Sequence, residues 1–308
     1  MTAGPVRRVL VVKLGGLADF VLAFGAFAAI RHHHPDAHVI LLTTRPFHDL
    51  AAKSGWFDEI WDDGRPPWSR PGRVWNLVRR LRRSRVDMVY DLESSPRTAR
   101  YRLLMRDVWG NKAPWSRGDP ARLNGSTEHV VEQHVRQLAE AGVTEMGRPS
   151  LSWLSAGYGG RFGLSDGYVL IAAGGLHERP QLRWPADRYA ELARRVAIEG
   201  RRPVLVGAAP DAEINRRIAA ASPEAMDLTG RTSLFDLAVL ATHAHAAVGN
   251  VTGPTHLIAA VGCPTVVVFS DTADQACNCP RGHFVVMLHR DKLADLPVTE
   301  VAAAMRLR

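Results

Sequence analysis

The segment Gly249-Asn250-Val251-Thr252-Gly253-Pro254-Thr255-His256 follows a short apolar run and leads into Leu257-Ile258-Ala259-Ala260. Thr252 or Gly253 suits the N-cap of a helix, Pro254 its first turn, and Gly262 with Pro264 its end two turns later. Such a start offers unpaired backbone N–H groups and the positive end of a helix dipole, which together bind phosphate, and the Thr252 and Thr255 hydroxyls add donors. An ordinary capped helix would carry the same local pattern. Asp19 stands just beyond Gly15-Gly16, where an apolar helix begins. A carboxylate there suits the N-cap or first turn of a helix whose dipole favours it. Gly174-Gly175 ends another apolar run and would let phosphate approach the backbone, or would simply form a turn.

The elements that must position these residues alternate. Val9 to Lys13 reads as a strand and Phe20 to Ile30 as a helix, followed by strands at His38–Thr43 and Met88–Leu92. A second series runs through a strand at Tyr168–Ile171, a helix from Asp187 to Ile198, a strand at Pro203–Gly207 and a helix over Asp211–Ala221. Strands at Ala246–Val248 and Thr265–Phe269 flank one more helix. The alternation predicts an α/β fold of two doubly wound parallel sheets, the first domain over 1–155 and the second over 156–308. The glycines Gly157, Gly159, Gly160 and Gly163 suit a hinge between Ser150 and Asp166. Ligands of open parallel sheets bind beyond the carboxyl ends of the strands, so the site is sought in a cleft lined by those loops.

Taken together, the motifs resemble glycosyltransferase family 9, which includes the heptosyltransferases of lipopolysaccharide core synthesis. Gly249 to Pro264 is similar to its D-[ST]-G-x-x-H-x-A-A signature, and Lys13 to Leu22 to its first loop, which usually ends S-x-G-D. Leu182-Arg183-Trp184-Pro185 is similar to a K-R-W-P segment, and Thr229-Gly230-Arg231-Thr232-Ser233-Leu234 to T-G-x-T-S-L. The resemblance implies a GT-B fold and metal-independent, inverting transfer of a sugar from a nucleotide donor, ADP-heptose among the donors, to a lipopolysaccharide or other cell-surface glycan. It implies that Asp19 is the base and that Gly15 and Gly16 belong to the acceptor loop. It further implies that Gly174, Gly175, Arg183, Glu213, Thr232, Asn250, Thr252, Gly253, Pro254, Thr255 and His256 surround the donor. Glu213 would meet the ribose and Thr232 the nucleobase; a first-turn acid is the competing account of Glu213. The sequence departs from the family at two charged positions. The signature aspartate falls on Val251 and the lysine before R-W-P on Leu182, with Arg183 and Arg179 near enough to replace the lysine. Those departures keep a second reading open, that of a nucleotide-sugar-binding or assembly protein without turnover. A dinucleotide oxidoreductase is disfavoured, since no G-x-G-x-x-G follows the first strand.

Charge bears on partners. The net charge is +8, and residues 1–150 hold 23 Lys and Arg against 16 Asp and Glu, leaving 16 against 15 for the rest. A basic first half suggests an anionic partner. Seven arginines lie between Arg70 and Arg85 with no acid, while Val74, Leu77, Val78 and Leu81 recur among them at helical spacing. A solvated face is the plain reading of that helix, and an acidic glycolipid or anionic headgroups at the inner membrane are the natural partners. Nucleic acid is not expected, because no recognition motif accompanies the charge.

No apolar run reaches the roughly 18 residues of a spanning helix, and no export signal follows Arg7 and Arg8. Three cysteines, Cys263, Cys277 and Cys279, do not make a disulfide framework. The expectation is a cytoplasmic protein, peripheral at the inner face of the inner membrane. His32-His33-His34 reads as a solvated helix end, and Cys277-x-Cys279 with His283 as a loop with incidental thiols rather than a metal site. No cofactor is expected besides the nucleotide-sugar substrate.

Overall fold

Val9, Leu10, Val11 and Val12 are at most 1% exposed, as expected where an unbroken apolar run forms a strand covered on both faces. In the computed structural model they form β1 (Arg8–Val12). The structure describes residues 6–64, 71–105, 113–118, 128–151, 153–154, 160–165, 167–175, 182–270 and 278–305. The chain divides into two compact units, residues 1–16 with 23–150, and residues 17–22 with 151–308.

The first unit is a parallel sheet in the order β3-β2-β1-β4-β5. Its other strands are β2 (His38–Thr43), β3 (Glu59–Asp62), β4 (Met88–Asp91) and β5 (Trp115–Arg117). The chain winds from β1 outward through β2 and β3, then returns to the other side of β1 at β4, so the strand order reverses between β1 and β4. One core face joins Leu10, Val12, Ile40, Leu42, Val89 and Tyr101 to Leu77 and Leu81 of α4 (Pro71–Arg83).

The apolar stretch expected as one helix from Phe20 to Ile30 is two. α1 (Leu17–Leu22) and α2 (Phe24–His33) are separated at Ala23, because each serves a different core. α2 sets Phe24 and Phe27 against Trp56 and Phe57 at centroid distances of 5.2–6.1 Å within the first unit. α1 belongs to the second unit, where the sequence expectation had carried it with the first domain.

The histidine run also differs from its reading as a solvated end. His32 and His33 are exposed, but His34 is half-buried and its Nε2 lies 2.8 Å from the Tyr90 hydroxyl. Burial, then the charges of His33 and Arg31, lower the His34 pKa to about 4 from an ordinary 6.5. Below 6.5 the unfolded chain takes up a proton that the folded chain refuses. The contribution of His34 is therefore complete above pH 6.5 and is lost as pH falls toward 4. His34→Gln, which removes the titration, is expected to flatten thermal stability across that window; an unchanged slope would assign the pH dependence to other groups.

The second unit holds a parallel sheet in the order β11-β10-β9-β6-β7-β8. Its strands are β6 (Val169–Ala172), β7 (Pro203–Leu205), β8 (Met226–Asp227), β9 (Ala246–Asn250), β10 (Thr265–Phe269) and β11 (Val285–His289). Val169, Ile171, Leu205, Val248 and Val266 pack with Tyr189 and Leu192 of α7 (Ala186–Ile198) and with Trp184 in one core. The winding goes from β6 to β7 and β8, then crosses back to β9, so the reversal lies between β6 and β9. Each unit thus places its switch point at the strand that opens it, and the crevice outside those strand ends is where ligands of such sheets bind.

Candidate functional site

At the β6–β9 switch point the two strand exits are Ala173-Gly174-Gly175 and Asn250-Val251-Thr252. Both glycines are required. A Cβ on Gly174 would lie 2.2 Å from the Asp211 carboxylate, and Gly175 has φ +81° with a virtual Cβ 2.4 Å from Thr252 Cγ2. Two buried side chains hold the loops at this point. Asp211, 5% exposed, accepts the Gly175 N–H on Oδ1 and the Ala208 N–H on Oδ2, both at 2.8 Å. It joins the loop after β6 to the loop after β7. Asn250 is fully buried; its Oδ1 accepts the Trp184 N–H at 3.0 Å and its Nδ2 donates to the Ala173 carbonyl at 3.0 Å.

Asn250 was expected at the donor. Its amide is bonded to backbone groups of both neighbouring loops, so it shapes the crevice. Asp211 escaped the sequence reading, which took it only as the start of a helix. Its signal was there, in a glycine two positions past β7 and an acid four residues beyond it.

Next to Asn250 the backbone turns into α10 (Gly253–Ala260) with Thr252 at the N-cap, as expected. Thr252 makes no side-chain cap; its hydroxyl lies 3.1 Å from that of Thr255. Thr255 and His256 are each 1% exposed. Both side chains lie beneath the turn, whose main-chain N–H groups stand at the positive end of the helix. Pro254, half-buried, carries no N–H, so the donors are those of its neighbours. Gly262, with φ +93°, follows the helix as the C-terminal stop anticipated in the sequence.

α1 packs on α10. A Cβ on Gly253 would lie 2.7 Å from Leu17 Cβ, so glycine at 253 is what allows the two helices to meet. The second unit therefore brings the helix carrying Asp19, half-buried in its first turn, onto the helix of the Gly249–His256 signature. This was not legible from sequence separation.

Leu182-Arg183-Trp184-Pro185 reaches the same crevice through Trp184. Its indole is fully buried, donates Nε1–H to the Leu296 carbonyl at 3.0 Å and meets Tyr189 edge-on at 4.8 Å. Arg183, half-buried beside that anchor, is the charged residue of the segment. Arg179 lies outside the described residues. Thr232 is half-buried in the loop after β8, next to the capping box of Ser233 and Asp236 that starts α9 (Leu234–His243). Glu213 is exposed in the first turn of α8 (Ala212–Ala221) and pairs with Arg216 at 2.6 Å, the geometry of a surface helix acid.

Gly15 and Gly16 end the first unit's opening segment, at its own β1–β4 switch point. Lys13, 5% exposed, donates to the Leu92 carbonyl at 3.0 Å, and Glu93 accepts the Leu14 N–H at 2.9 Å. Behind them Ser94 holds φ +50° because its N–H and hydroxyl are both tied to Asp91, at 2.9 and 3.0 Å. Burial raises the Asp91 carboxyl above its usual range. Neither Lys13 nor Glu93 was singled out from the sequence as holding this loop.

Among the described residues no group of three or more His, Cys, Asp or Glu is placed to hold a metal. The Cys263 and Cys279 side chains are buried; Cys277 lies outside the described residues. No helix among the described residues is long and apolar enough to cross a membrane.

A sequence model described as glycosyltransferase family 9 (heptosyltransferase) matches residues 126–296. The lipooligosaccharide heptosyltransferase 2 of Haemophilus influenzae is 33% identical over 101 residues, 31% of this chain and 29% of that protein. The chain matches about a third of the length of its curated relatives. Two solved structures cover nearly all of both chains. A glycosyl transferase family 9 protein from Veillonella parvula has a TM-score of 0.82 at 18% identity, over 99% of this chain and 98% of that one. The ADP-heptose lipopolysaccharide heptosyltransferase II of Escherichia coli has 0.75 at 20%, over 97% and 98%. The two doubly wound units are those of a GT-B fold. The family match spans more than half of the chain, and this protein belongs to glycosyltransferase family 9.

Proposed function

We propose that this protein is an inverting glycosyltransferase that moves a sugar from a nucleotide-diphosphate donor to an anionic cell-surface glycan or glycolipid. The observation that supports the reading is the packing of α1, the helix that carries Asp19, on α10, whose N-cap Thr252 makes no side-chain bond to the helix start. The donor diphosphate would lie on the N–H groups of Gly253 and Thr255 and approach the backbone at Gly174 and Gly175, with the Arg183 guanidinium in support. The nucleoside would extend over the loops after β7 and β8, past Glu213 and Thr232. In the transfer step the acceptor oxygen attacks C1 of the sugar and gives its proton to Asp19. The bond from C1 to the diphosphate breaks, and the electron pair leaves with the nucleoside diphosphate. Charge gathers on that leaving oxygen. Main-chain N–H groups already aimed at it stabilise it without reorganisation, so no cation is required.

ADP-heptose is the donor we infer, since the Escherichia coli neighbour is an ADP-heptose lipopolysaccharide heptosyltransferase. The acceptor class follows from the basic first half of the chain and from the lipooligosaccharide relative. Leu182 and Val251 favour a second reading, a binder of nucleotide sugars without turnover, because both remove charge from the donor crevice.

One experiment separates the two. Thermal unfolding in a panel of nucleotide sugars is expected to show a rise with ADP-heptose, on the order of 2.7 kcal/mol at a hundredfold excess over Kd, and nucleoside diphosphate release should follow when a lipopolysaccharide-core acceptor is added. Stabilisation with no release under any acceptor would favour the binder. No stabilisation by any nucleotide or nucleotide sugar would sink both.

A further inference from the structure

Trp75 lies on α4 and is 59% exposed, an indole left in water by a helix that buries Leu77, Val78 and Leu81 on its other side. At 100° per residue Trp75, Arg79, Arg82 and Arg83 fall within an arc of about 100°, and all four are exposed. Arg82 donates Nε–H to the Leu104 carbonyl at 2.7 Å. The end of α5 (Pro96–Leu104) is thereby drawn alongside, and there Arg102 is exposed and Leu103 is 63% exposed. The two helices carry eight arginines and no carboxylate. Arg80 is not part of this stripe. It is exposed, as expected of the outward arginines, but turns to the other flank, pairs with Glu59 at 3.1 Å and covers the Trp61 ring at 4.2 Å.

We propose that Trp75, Arg79, Arg82 and Arg83, with Arg102 and Leu103, form a docking surface for an anionic phospholipid bilayer. Trp75 falls within the basic arc of its own helix, and the exposed Leu103 follows Arg102 at the end of the helix that Arg82 holds alongside, so both apolar side chains stand beside arginines. Lipid accounts for both. An indole and a leucine enter the boundary between headgroups and acyl chains, and guanidinium groups beside them meet lipid phosphates. Each basic residue near such a surface contributes about 1 kcal/mol, or roughly fivefold in partition. The proposal rests on residues of the first unit alone, and its success or failure leaves the reading of Asp19 and α10 unaltered.

The test is co-sedimentation of the full chain with vesicles of phosphatidylglycerol in phosphatidylcholine, against vesicles of phosphatidylcholine alone. Binding is expected to the anionic vesicles only, and to weaken as salt shortens the Debye length. The triple variant R79A/R82A/R83A should lose on the order of a hundredfold at low salt, and a triple lysine variant should retain most of the binding. Trp75→Ala should lower binding severalfold at low and high salt alike, since its contribution is not ionic. All these side chains are exposed, and matching thermal midpoints will confirm that each variant is folded. The proposal is overturned by equal partition onto neutral vesicles, by a triple alanine variant that binds like the parent, or by no binding to anionic vesicles at low salt. Binding to duplex DNA without binding to vesicles would overturn it in favour of a nucleic-acid partner. Self-association lost in Trp75→Ala, again without vesicle binding, would do so in favour of a second copy of this chain.

Discussion

Asp19→Asn is expected to lower kcat by roughly 10²- to 10⁴-fold, the usual contribution of a positioned general base, while donor affinity stays within experimental error of the parent. Asparagine keeps the volume and the hydrogen-bonding oxygen of the side chain and removes only its capacity to take a proton. A base matters where the acceptor O–H is breaking, so its loss falls on the transition state and not on the bound ground state. The alternative account of Asp19, an acid in the first turn of α1, makes a different prediction. There the substitution would cost about 0.3–1 kcal/mol of stability through the helix dipole and would leave turnover alone. Steady-state kinetics with donor titration, beside a thermal midpoint for the same variant, distinguish the two; full kcat with a lowered midpoint would remove Asp19 from the chemistry.

The parts of this fold legible from sequence were those that physics makes redundant. β1, β2, β6, β9 and β10 are central or flanked strands, buried on both faces, and so read as unbroken apolar runs. β3, β5, β8 and β11 went unseen. They lie toward the sheet edges, and their residues are for the most part only half-buried, so Glu59-Ile60-Trp61-Asp62 or Trp115-Ser116-Arg117 shows no such run. The break at Ala23 was hidden for another reason. Apolar periodicity reports that a helix has a buried face but not which core the face belongs to, and α1 and α2 serve two.

The site divides along the same line. Thr252, Pro254 and Gly262 were legible because capping is local chemistry, decided within four residues. The roles of Asn250 and Asp211 depend on partners far along the chain: Trp184 is 66 residues from Asn250, and Gly175 is 36 from Asp211. A residue type alone does not say whether a polar side chain faces a ligand or the backbone of its own loop. Burial decides it, and burial is a tertiary property. In the proposed donor site the same distinction matters: Thr255, His256 and Asn250 are buried and would supply shape, while the N–H groups of the helix start would supply contacts.

That role makes Asn250 the position where one substitution should do the most damage to the second unit. Its side chain is fully buried and satisfies the Trp184 N–H and the Ala173 carbonyl, with the Gly174 carbonyl a further 3.4 Å from its Nδ2. Asn250→Ala would strand a donor and an acceptor away from water at about 1–3 kcal/mol each and leave a cavity behind. The total is on the order of 3–5 kcal/mol, a large part of the stability of a typical domain. Asn250→Asp is expected to be no milder. Its carboxylate could still accept from Trp184, but it would face the Ala173 carbonyl with no proton to give and would carry charge into a fully buried position. Because the same bonds hold the β6 exit and the Arg183-Trp184 segment at the crevice, nucleotide affinity should fall together with the thermal midpoint. Asp19→Asn should move neither. Measured side by side, the two variants separate the group that performs the transfer from the group that builds the place where it occurs, and an Asn250→Ala protein that keeps both its midpoint and its nucleotide affinity would show that the switch-point loops are held by something other than this amide.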